Sequence, residues 1–220
     1  MYQPRTFALP PCSSVHIAWI RYRICSELFR LYKVLGGYCN IMCKVVILSG
    51  SPNASSRLNG MTNFIRQALS EVGFQTAAVN VVDLPPEDLV YTRFMSPHII
   101  AANELIEQAD AVVIASPVYK ASFTGVLKAY IDLLPQKGFE GKIITPVFIA
   151  GSMSHLLAID YSLKPVLASM GARQYTKSMY ATDSAVTREQ LDTGEYVFTL
   201  DADTELHLSE IVQELKKYLL

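Results

Sequence analysis

The sequence predicts an α/β fold in which helices cover both faces of a parallel β-sheet. Two observations lead to this prediction. Between residues 42 and 220, short apolar runs alternate with longer segments whose apolar residues recur every three or four positions. Several of the short runs are apolar throughout, which is typical of strands buried on both faces of a parallel sheet. Regular alternation of the two patterns indicates repeated βαβ units.

The first predicted unit begins with a strand at 44–48, which reads Lys-Val-Val-Ile-Leu and ends in a turn-rich stretch. A helix is predicted over 60–72 from its amphipathic spacing, and Gly73 stands where a helix ends. The second strand is predicted at 75–82.

The middle of the chain repeats this pattern. A serine followed by proline marks the start of a helix over 96–109. The run Ala-Val-Val-Ile-Ala predicts a third buried strand at 111–115, which Ser116 and Pro117 are predicted to follow, and a helix over 122–134 comes next.

The last part supplies a fourth strand at 142–150, a helix over 159–170, a fifth strand at 174–180 and a terminal amphipathic helix over 206–219. The polar stretch 182–203 fits either a long loop or a hairpin. Five strands within about 175 residues, joined by right-handed crossovers, predict the flavodoxin-like three-layer sandwich with strand order 2-1-3-4-5.

Composition excludes several classes of protein. Half of the 220 residues are hydrophobic, 18% are charged and the net charge is −1, so the chain can bury a core and is not disordered. No apolar run approaches the 18 or so residues of a membrane span. The near-neutral charge argues against nucleic-acid binding.

Residues 1–41 differ from the rest. They carry five basic side chains and one acidic one, whereas residues 42–220 carry 14 and 19. We therefore predict an N-terminal extension over 1–41 and a single domain over 42–220. The extension fits a start codon assigned too early, with Met42 as the true start, a targeting segment, or an additional docking helix.

The cysteines also lie near the N-terminus, and residues 44–220 contain none. No CxxC pair or zinc-type spacing is present, so we expect no cysteine-bound metal. A domain without disulfides fits the reducing cytoplasm.

Ligands of such sheets bind beyond the carboxyl ends of the strands. The loop after the first strand, 49–60, is rich in hydroxyl groups and leads into a helix N-terminus, where amides and the helix dipole favour a phosphate. Ser51, Ser56 and Asn59 offer short donors, and Arg57 offers a bidentate charged contact. Helix capping alone is the alternative role for these serines. The loop lacks GxxxxGK[ST] and GxGxxG, and suits the single phosphate of FMN.

Two further loops offer contacts for a flat ring. After the third strand come Pro117, Val118, Tyr119 and Lys120, although an ordinary turn would also explain them. The loop after the fourth strand contains Gly151, which permits close backbone approach, and Ser152, which offers a donor. His155 fits either a ligand contact or a structural role.

Together these motifs resemble the NAD(P)H-dependent FMN reductases, and more narrowly the branch that supplies reduced flavin to alkanesulfonate monooxygenases. The resemblance covers about residues 42–180. It is carried by Gly50-Ser51-Pro52, Ser56-Arg57, the run 86–94, Pro117-Val118-Tyr119-Lys120 and the run 155–167.

The resemblance implies a homodimer or homotetramer that uses FMN and NADPH or NADH. FMN phosphate would bind the Ser51–Gly60 loop, and the isoalloxazine would lie against residues 117–120 and 151–152. Hydride passes to flavin N5, so no catalytic side chain is expected. Arg93 and Lys120 are candidates for meeting a 2′-phosphate. Phe123 occupies the position where the sulfonate branch carries an inserted tyrosine, which implies a π-bulge there, although an ordinary core aromatic would also explain Phe123.

Other functions remain open. An FMN-bound quinone or azo-dye reductase would share every motif. A flavodoxin-type electron carrier is disfavoured because residues 42–220 have a net charge of only about −5 and their acidic residues are dispersed. A signalling receiver module would need an acidic pair at the end of the first strand, and residues 44–51 contain no acid.

Overall fold

The computed structural model describes residues 43–220, which form a three-layer α/β/α sandwich. The predicted extension over 1–41 lies outside the described residues. The strands are β1 Lys44–Ser49, β2 Gln75–Asn80, β3 Ala111–Pro117, β4 Ile143–Ala150, β5 Gln174–Tyr175, β6 Met179–Thr182, β7 Val186–Gln190 and β8 Tyr196–Leu200. The α-helices are α1 Leu58–Glu71, α2 Pro86–Val90, α3 Pro97–Glu107, α4 Gly125–Ile131, α5 Lys164–Ser169 and α6 Ala202–Leu219.

The main sheet is parallel, and its order β2-β1-β3-β4-β5 confirms the predicted flavodoxin-like topology. The predicted fifth strand is interrupted: β5 pairs with the start of β4, and β6 pairs with its last four residues. Between them, the Lys177 amide donates to Glu214 Oε2 of α6 at 2.9 Å. That side-chain contact takes the place of a sheet hydrogen bond and breaks the strand in two.

Alternate residues of the strands pack on opposite faces. On one face, Val46 and Ile114 pack against α2 to α5, including the fully buried Leu127 of α4. On the other face, Ile47 and Val113 pack against α1 and α6. Residues from both faces are fully or almost fully buried, which explains why the strand sequences are apolar throughout.

The segment between β3 and α4 departs from prediction. Helix α4 begins only at Gly125, because the Thr124 side chain caps it by accepting the Leu127 amide at 3.3 Å. Phe123 therefore lies before the helix, and the expectation of a π-bulge at this residue is wrong. A π-helical turn occurs instead at Ile159–Leu163, immediately before α5.

The polar stretch 182–203 is resolved as a hairpin, formed by antiparallel β7 and β8. Helix α6 begins four residues earlier than predicted because Asp201 accepts the Thr204 amide at 2.8 Å and caps it. The short helix α2 was not predicted. Within residues 43–220, no helix has the length and apolar character needed to cross a membrane.

Candidate functional site

Three loops meet at the carboxyl edge of the sheet because β1, β3 and β4 are neighbours there. Ser49 lies beside Ala115, and Pro117 lies beside Ile149. The ladder continues one step beyond the paired strands, since the Gly50 amide donates to Ala115 O and the Val118 amide to Ile149 O, both at 2.8 Å. The loop after β3 therefore lies between the loops after β1 and β4.

The predicted boundary of the third strand needs correction, because Ser116 and Pro117 are its last two residues. Both are buried. A proline is tolerated in this central strand because the pairing of β1 with β3 ends at Ala115. The N–H that Pro117 lacks is therefore not needed for a hydrogen bond to β1. Only Val118, Tyr119 and Lys120 of the predicted group lie beyond the strand.

The loop after β1 is locked to the start of α4. Thr124 Oγ1 donates to Gly50 O at 2.7 Å, and the Thr124 amide donates to Ser116 Oγ at 3.0 Å. A Cβ on residue 50 would lie 2.5 Å from the Leu127 Cβ. Glycine at this position therefore lets the loop approach α4 closely enough for these hydrogen bonds to form.

Several polar groups of the first loop are occupied within it. Ser51 is buried, and its hydroxyl donates to Asn53 O at 3.0 Å. The Ser55 amide and hydroxyl both donate to Asn53 Oδ1 at 2.8 Å. Asn59 Nδ2 donates to Ala54 O at 2.7 Å. Ser51 and Asn59 therefore lie in the loop after β1, where their side chains stabilise the shape of the turn.

Ser56 and Arg57 stand at the end of this loop, where α1 begins. Ser56 Oγ accepts the Leu58 amide, the first of the helix, at 3.3 Å, and its own hydroxyl proton is left to donate. Arg57 Nε donates to Val186 O at 2.9 Å. Its remaining guanidinium N–H groups, and its amide, have no acceptor among residues 43–220.

These unsatisfied donors fit an anion such as the FMN phosphate. They combine a backbone amide, a hydroxyl and a guanidinium at a helix N-terminus whose first turn contains no acidic residue. No acidic side chain occurs anywhere in residues 44–70. The loop therefore offers positive potential and free donors, without a carboxylate to compete for them.

Gly60 has a different environment from its predicted neighbours. It is buried within α1, and its amide donates to Arg57 O at 3.1 Å. A Cβ there would lie 2.8 Å from Phe198 Cβ and 3.0 Å from Val186 Cγ1 of the β7–β8 hairpin. The glycine allows the hairpin to pack directly against the helix.

The hairpin contributes a side chain that sequence analysis missed. Arg188 Nη1 donates to Ser55 O in the first loop. The alternating residues of 186–190 and 196–200, separated by Asp192-Thr193-Gly194, were the available signal for a hairpin. Nothing in that signal identified its partner, since Arg188 and Ser55 are 133 positions apart.

The loop after β3 is a tight two-residue turn. The amides of Tyr119 and Ser122 donate to each other's carbonyls, at 2.8 and 3.1 Å. The two central residues, Lys120 and Ala121, have φ values of 51° and 62°. Positive φ at both positions is typical of a type I′ turn, which usually takes Asn-Gly. The turn leaves Tyr119 and Lys120 exposed at the edge of the sheet.

The loop after β4 is held by the fifth-strand region. Tyr180 of β6 donates its hydroxyl to Ser152 O at 2.7 Å. Burial raises the pKa of Tyr180, while a hydrogen bond from the His155 backbone opposes that rise, so the phenol stays protonated and can donate. Gly151 and Ser152 are exposed beside the loop after β3. Tyr180 was not predicted as a site residue.

The edge of this site is apolar and open. His155 is exposed at the end of a 3₁₀ turn, and its side chain contacts no polar partner in the part of the chain that the structure describes. The surrounding exposed apolar side chains are Tyr119, Met153, Leu156 and Leu157. This rim is suited to a flat aromatic ligand.

A separate depression of about 550 Å³ is lined by Asp88 and residues 93–97, none of which is among the predicted flavin contacts. Arg93, a candidate for a 2′-phosphate, instead donates to Asp88 Oδ1 at 3.2 Å. Among residues 43–220 there is no group of three or more His, Cys, Asp or Glu side chains that would hold a metal ion.

Comparison with known proteins identifies several FMN reductases among the relatives. The family model described as "NADPH-dependent FMN reductase" matches residues 43–187. An FMN reductase (NADPH) of Pseudomonas putida KT2440 is 42% identical over 142 residues, covering 64% of this chain and 72% of that protein. An FMN reductase (NADPH) of Escherichia coli K12 is 39% identical over 143 residues, covering 65% and 75%.

A solved structure agrees with these relatives. The apo crystal structure of the NADH:FMN oxidoreductase EmoB has a TM-score of 0.71 and 30% sequence identity with this chain. The match covers 81% of this chain and 91% of that one.

Proposed function

Because the chain belongs to the NADPH-dependent FMN reductase family, we propose that its three carboxyl-edge loops bind FMN and that its reduced flavin serves a flavin-dependent sulfonate monooxygenase. The enzyme is an NAD(P)H:FMN oxidoreductase. We propose NADPH as its reductant, since the two relatives at 42% and 39% identity carry that specificity in their names.

The unsatisfied donor set at the end of the first loop carries the assignment of the flavin phosphate. Arg57 presents its Nη groups and its amide, and Ser56 presents a hydroxyl proton. The locally bonded Ser51 and Asn59 keep the loop in the shape that directs these donors. Gly60 supports the same helix N-terminus through its contact with the hairpin.

We place the isoalloxazine against residues 117–120 and 151–152. The open rim beside them leaves one ring face accessible to the nicotinamide. When bound, FMN supplies the N5 atom that accepts hydride from nicotinamide C4. The protein then has to orient two flat rings and exclude water between them. The turn at Tyr119–Ser122 and the Tyr180–Ser152 hydrogen bond hold the two ring-binding loops in place for that purpose.

The sulfonate link rests on the sequence resemblance to that branch of the family. A homodimer or homotetramer is also part of the proposal, and exposed apolar side chains near α2 support it. Tyr91, Phe94 and Met95 are 70%, 55% and 82% exposed, a cluster that a monomer would leave in water. We place residues 42–220 as the reductase domain and expect it in the cytoplasm, where a cysteine-poor domain needs no oxidation.

A quinone or azo-dye reductase is the second candidate, and the open apolar rim favours it. An aromatic acceptor would reach the ring face by the same route as the nicotinamide. In that case FMN would remain bound and act as a carrier of reducing equivalents.

The test is an anaerobic titration of the purified protein with NADPH and excess free FMN, followed at the flavin absorption band. We expect bleaching of many FMN equivalents per protein, and NADH as reductant gives the matched comparison. A yellow protein that bleaches only its own equivalent, and turns over only with quinone or dye, would favour the second candidate. Absence of bleaching under both conditions would refute the reductase assignment.

A further inference from the structure

The β7–β8 hairpin lies almost wholly beyond the segment that matches the family model, which ends at residue 187. It is nevertheless attached to the first loop at three points. Arg57 Nε donates to Val186 O, Arg188 Nη1 donates to Ser55 O, and Gly60 packs against Phe198. The hairpin therefore forms one side of the loop assigned to the flavin phosphate.

Arg188 is an exposed residue of β7 that lies on the same face of the strand as buried Val186 and pairs across the ladder with Phe198. Two contacts hold its side chain in place. The guanidinium carbon lies 5.4 Å from the centre of the Tyr196 ring, a cation–π distance. The ring and the Ser55 carbonyl together orient the guanidinium before any ligand arrives.

The charge of Arg188 has no carboxylate partner among residues 43–220, and neither has that of Arg57. The Arg188 guanidinium is thus held at Ser55, and the Arg57 guanidinium lies at the other end of the Ser55–Arg57 segment. Two oriented, uncompensated guanidinium groups beside a helix N-terminus produce a field that favours a dianion over a neutral group.

We propose that Arg188 is a positioning residue of the flavin-phosphate site, which makes the enzyme prefer FMN to the unphosphorylated flavin, riboflavin. This inference rests on the proposed function, because it takes the Ser51–Gly60 loop as the phosphate site. Arg188 acts by holding the Ser55 carbonyl, which keeps the Ser56 and Arg57 donors directed outwards, and by adding positive charge at short range.

The experiment compares Arg188→Ala, Arg188→Lys and Arg188→Gln in the full chain. Dissociation constants for FMN and for riboflavin are measured by fluorescence quenching at low and high salt. Arg66→Ala is the matched control, since Arg66 is an exposed arginine of α1 whose side chain, within residues 43–220, forms a hydrogen bond only with Asn63. It removes the same charge without touching the loop.

We expect Arg188→Ala to raise the FMN dissociation constant by about two- to fivefold, the range of an exposed charged contact, and to leave the dissociation constant for riboflavin unchanged. Its effect should shrink at high salt. Arg188→Lys should bind FMN more tightly than Arg188→Ala does, and Arg188→Gln should show a smaller improvement. Arg66→Ala should bind FMN as the wild type does.

Equal weakening of both flavins, or an unchanged FMN constant in Arg188→Ala, would overturn the inference and leave the proposed function standing. If Arg188→Ala does not fold, the lysine and glutamine variants decide the same question. Failure of the wild-type protein to bind or reduce FMN would instead overturn the proposed function, and the inference with it.

Discussion

Polar residues at the carboxyl edge divide into those that shape a loop and those left with free donors. The side chains of Ser51 and Asn59 donate hydrogen bonds to neighbouring backbone carbonyls. Of the Arg57 guanidinium, only Nε donates a hydrogen bond within residues 43–220. Because an unmet charged donor gains most from an anion, Arg57 should contribute more to phosphate binding than the serine and asparagine.

Replacing Arg57 with alanine tests this ranking. We expect Arg57→Ala to weaken FMN binding by about 1.5–3 kcal/mol, the range for a hydrogen bond to a charged group. Asn59→Ala, which opens the loop but removes no charge, should cost less. Isothermal titration with FMN measures both, and an unchanged affinity in Arg57→Ala would remove the phosphate from this loop.

Asp88 is a buried carboxylate that joins α2 to the start of α3. It accepts hydrogen bonds from the Ser96 hydroxyl and from Arg93 Nη1. Chiefly the Ser96 hydroxyl, and then Arg93, hold the pKa of Asp88 below its ordinary value of 3.8, although burial opposes this. A lowered pKa in the folded state means that the carboxylate stabilises the fold above pH 3.8 and loses this contribution as the pH falls further.

Asp88→Asn should therefore lower the Tm at neutral pH. The Tm difference from wild type should shrink as the pH falls below 3.8, where Asp88 itself becomes protonated. Thermal unfolding by circular dichroism across the acid range measures this. Glu104→Gln, at an exposed position of neighbouring α3, is the control and should show no such dependence. A Tm difference that stays constant with pH would contradict the role of the carboxylate.

At the scale of elements, the contact between the first loop and α4 depends on the absence of a side chain at residue 50. Gly50→Ala would place a Cβ 2.5 Å from Leu127 Cβ. We expect a loss of about 1–3 kcal/mol in the free energy of unfolding, as for overpacking of a core. Gly125→Ala, the first residue of α4, meets nothing within 4 Å and should be neutral or stabilising by about 0.5 kcal/mol.

Urea unfolding measures the free energy of unfolding of both variants. The comparison distinguishes steric crowding at residue 50 from an effect that any glycine-to-alanine substitution would have. Similar destabilisation by both substitutions would show that the close approach of Gly50 to α4 is not the cause.

The turn between β3 and α4 stores backbone strain, since Lys120 and Ala121 both have positive φ. Ala121→Gly should relieve part of it and stabilise the protein by about 0.5–1 kcal/mol. The same substitution in a helix, Ala101→Gly at an exposed position of α3, should destabilise by about 1 kcal/mol. Scanning calorimetry measures the change in stability of both variants. The two changes have opposite signs if the turn is strained, and the same sign if it is not.

At the scale of the whole molecule, the parallel arrangement of β1, β3 and β4 creates the site by bringing three loops to one edge. All six strands of the main sheet and the helices on both faces lie within residues 43–220. We therefore expect a chain beginning at Met42 to fold and to reduce FMN. Near-UV circular dichroism and the anaerobic assay test this against the full chain, and an insoluble product would contradict it.

Apolar patterning made much of the architecture predictable. The buried strands follow from runs such as 45–48 and 111–115, whose residues are apolar on both faces. The order of the sheet follows from the number of strands and from right-handed crossovers between them. The interruption of the fifth strand could not be predicted, because it depends on the contact between Lys177 and Glu214 of α6. The start of α4 was missed because two residues without the usual turn signature, Lys120 and Ala121, form a type I′ turn.

The layered fold, the three loops at the carboxyl edge of the sheet and the family could all be derived from the sequence, because local periodicity and short motifs record burial and turns. The three-dimensional structure was needed to show which donors of the first loop already form hydrogen bonds and which do not, and that Arg188 lies beside Ser55. Hydrogen bonds between residues far apart in the chain depend on packing and direction in three dimensions, and periodicity along a sequence carries no information about either.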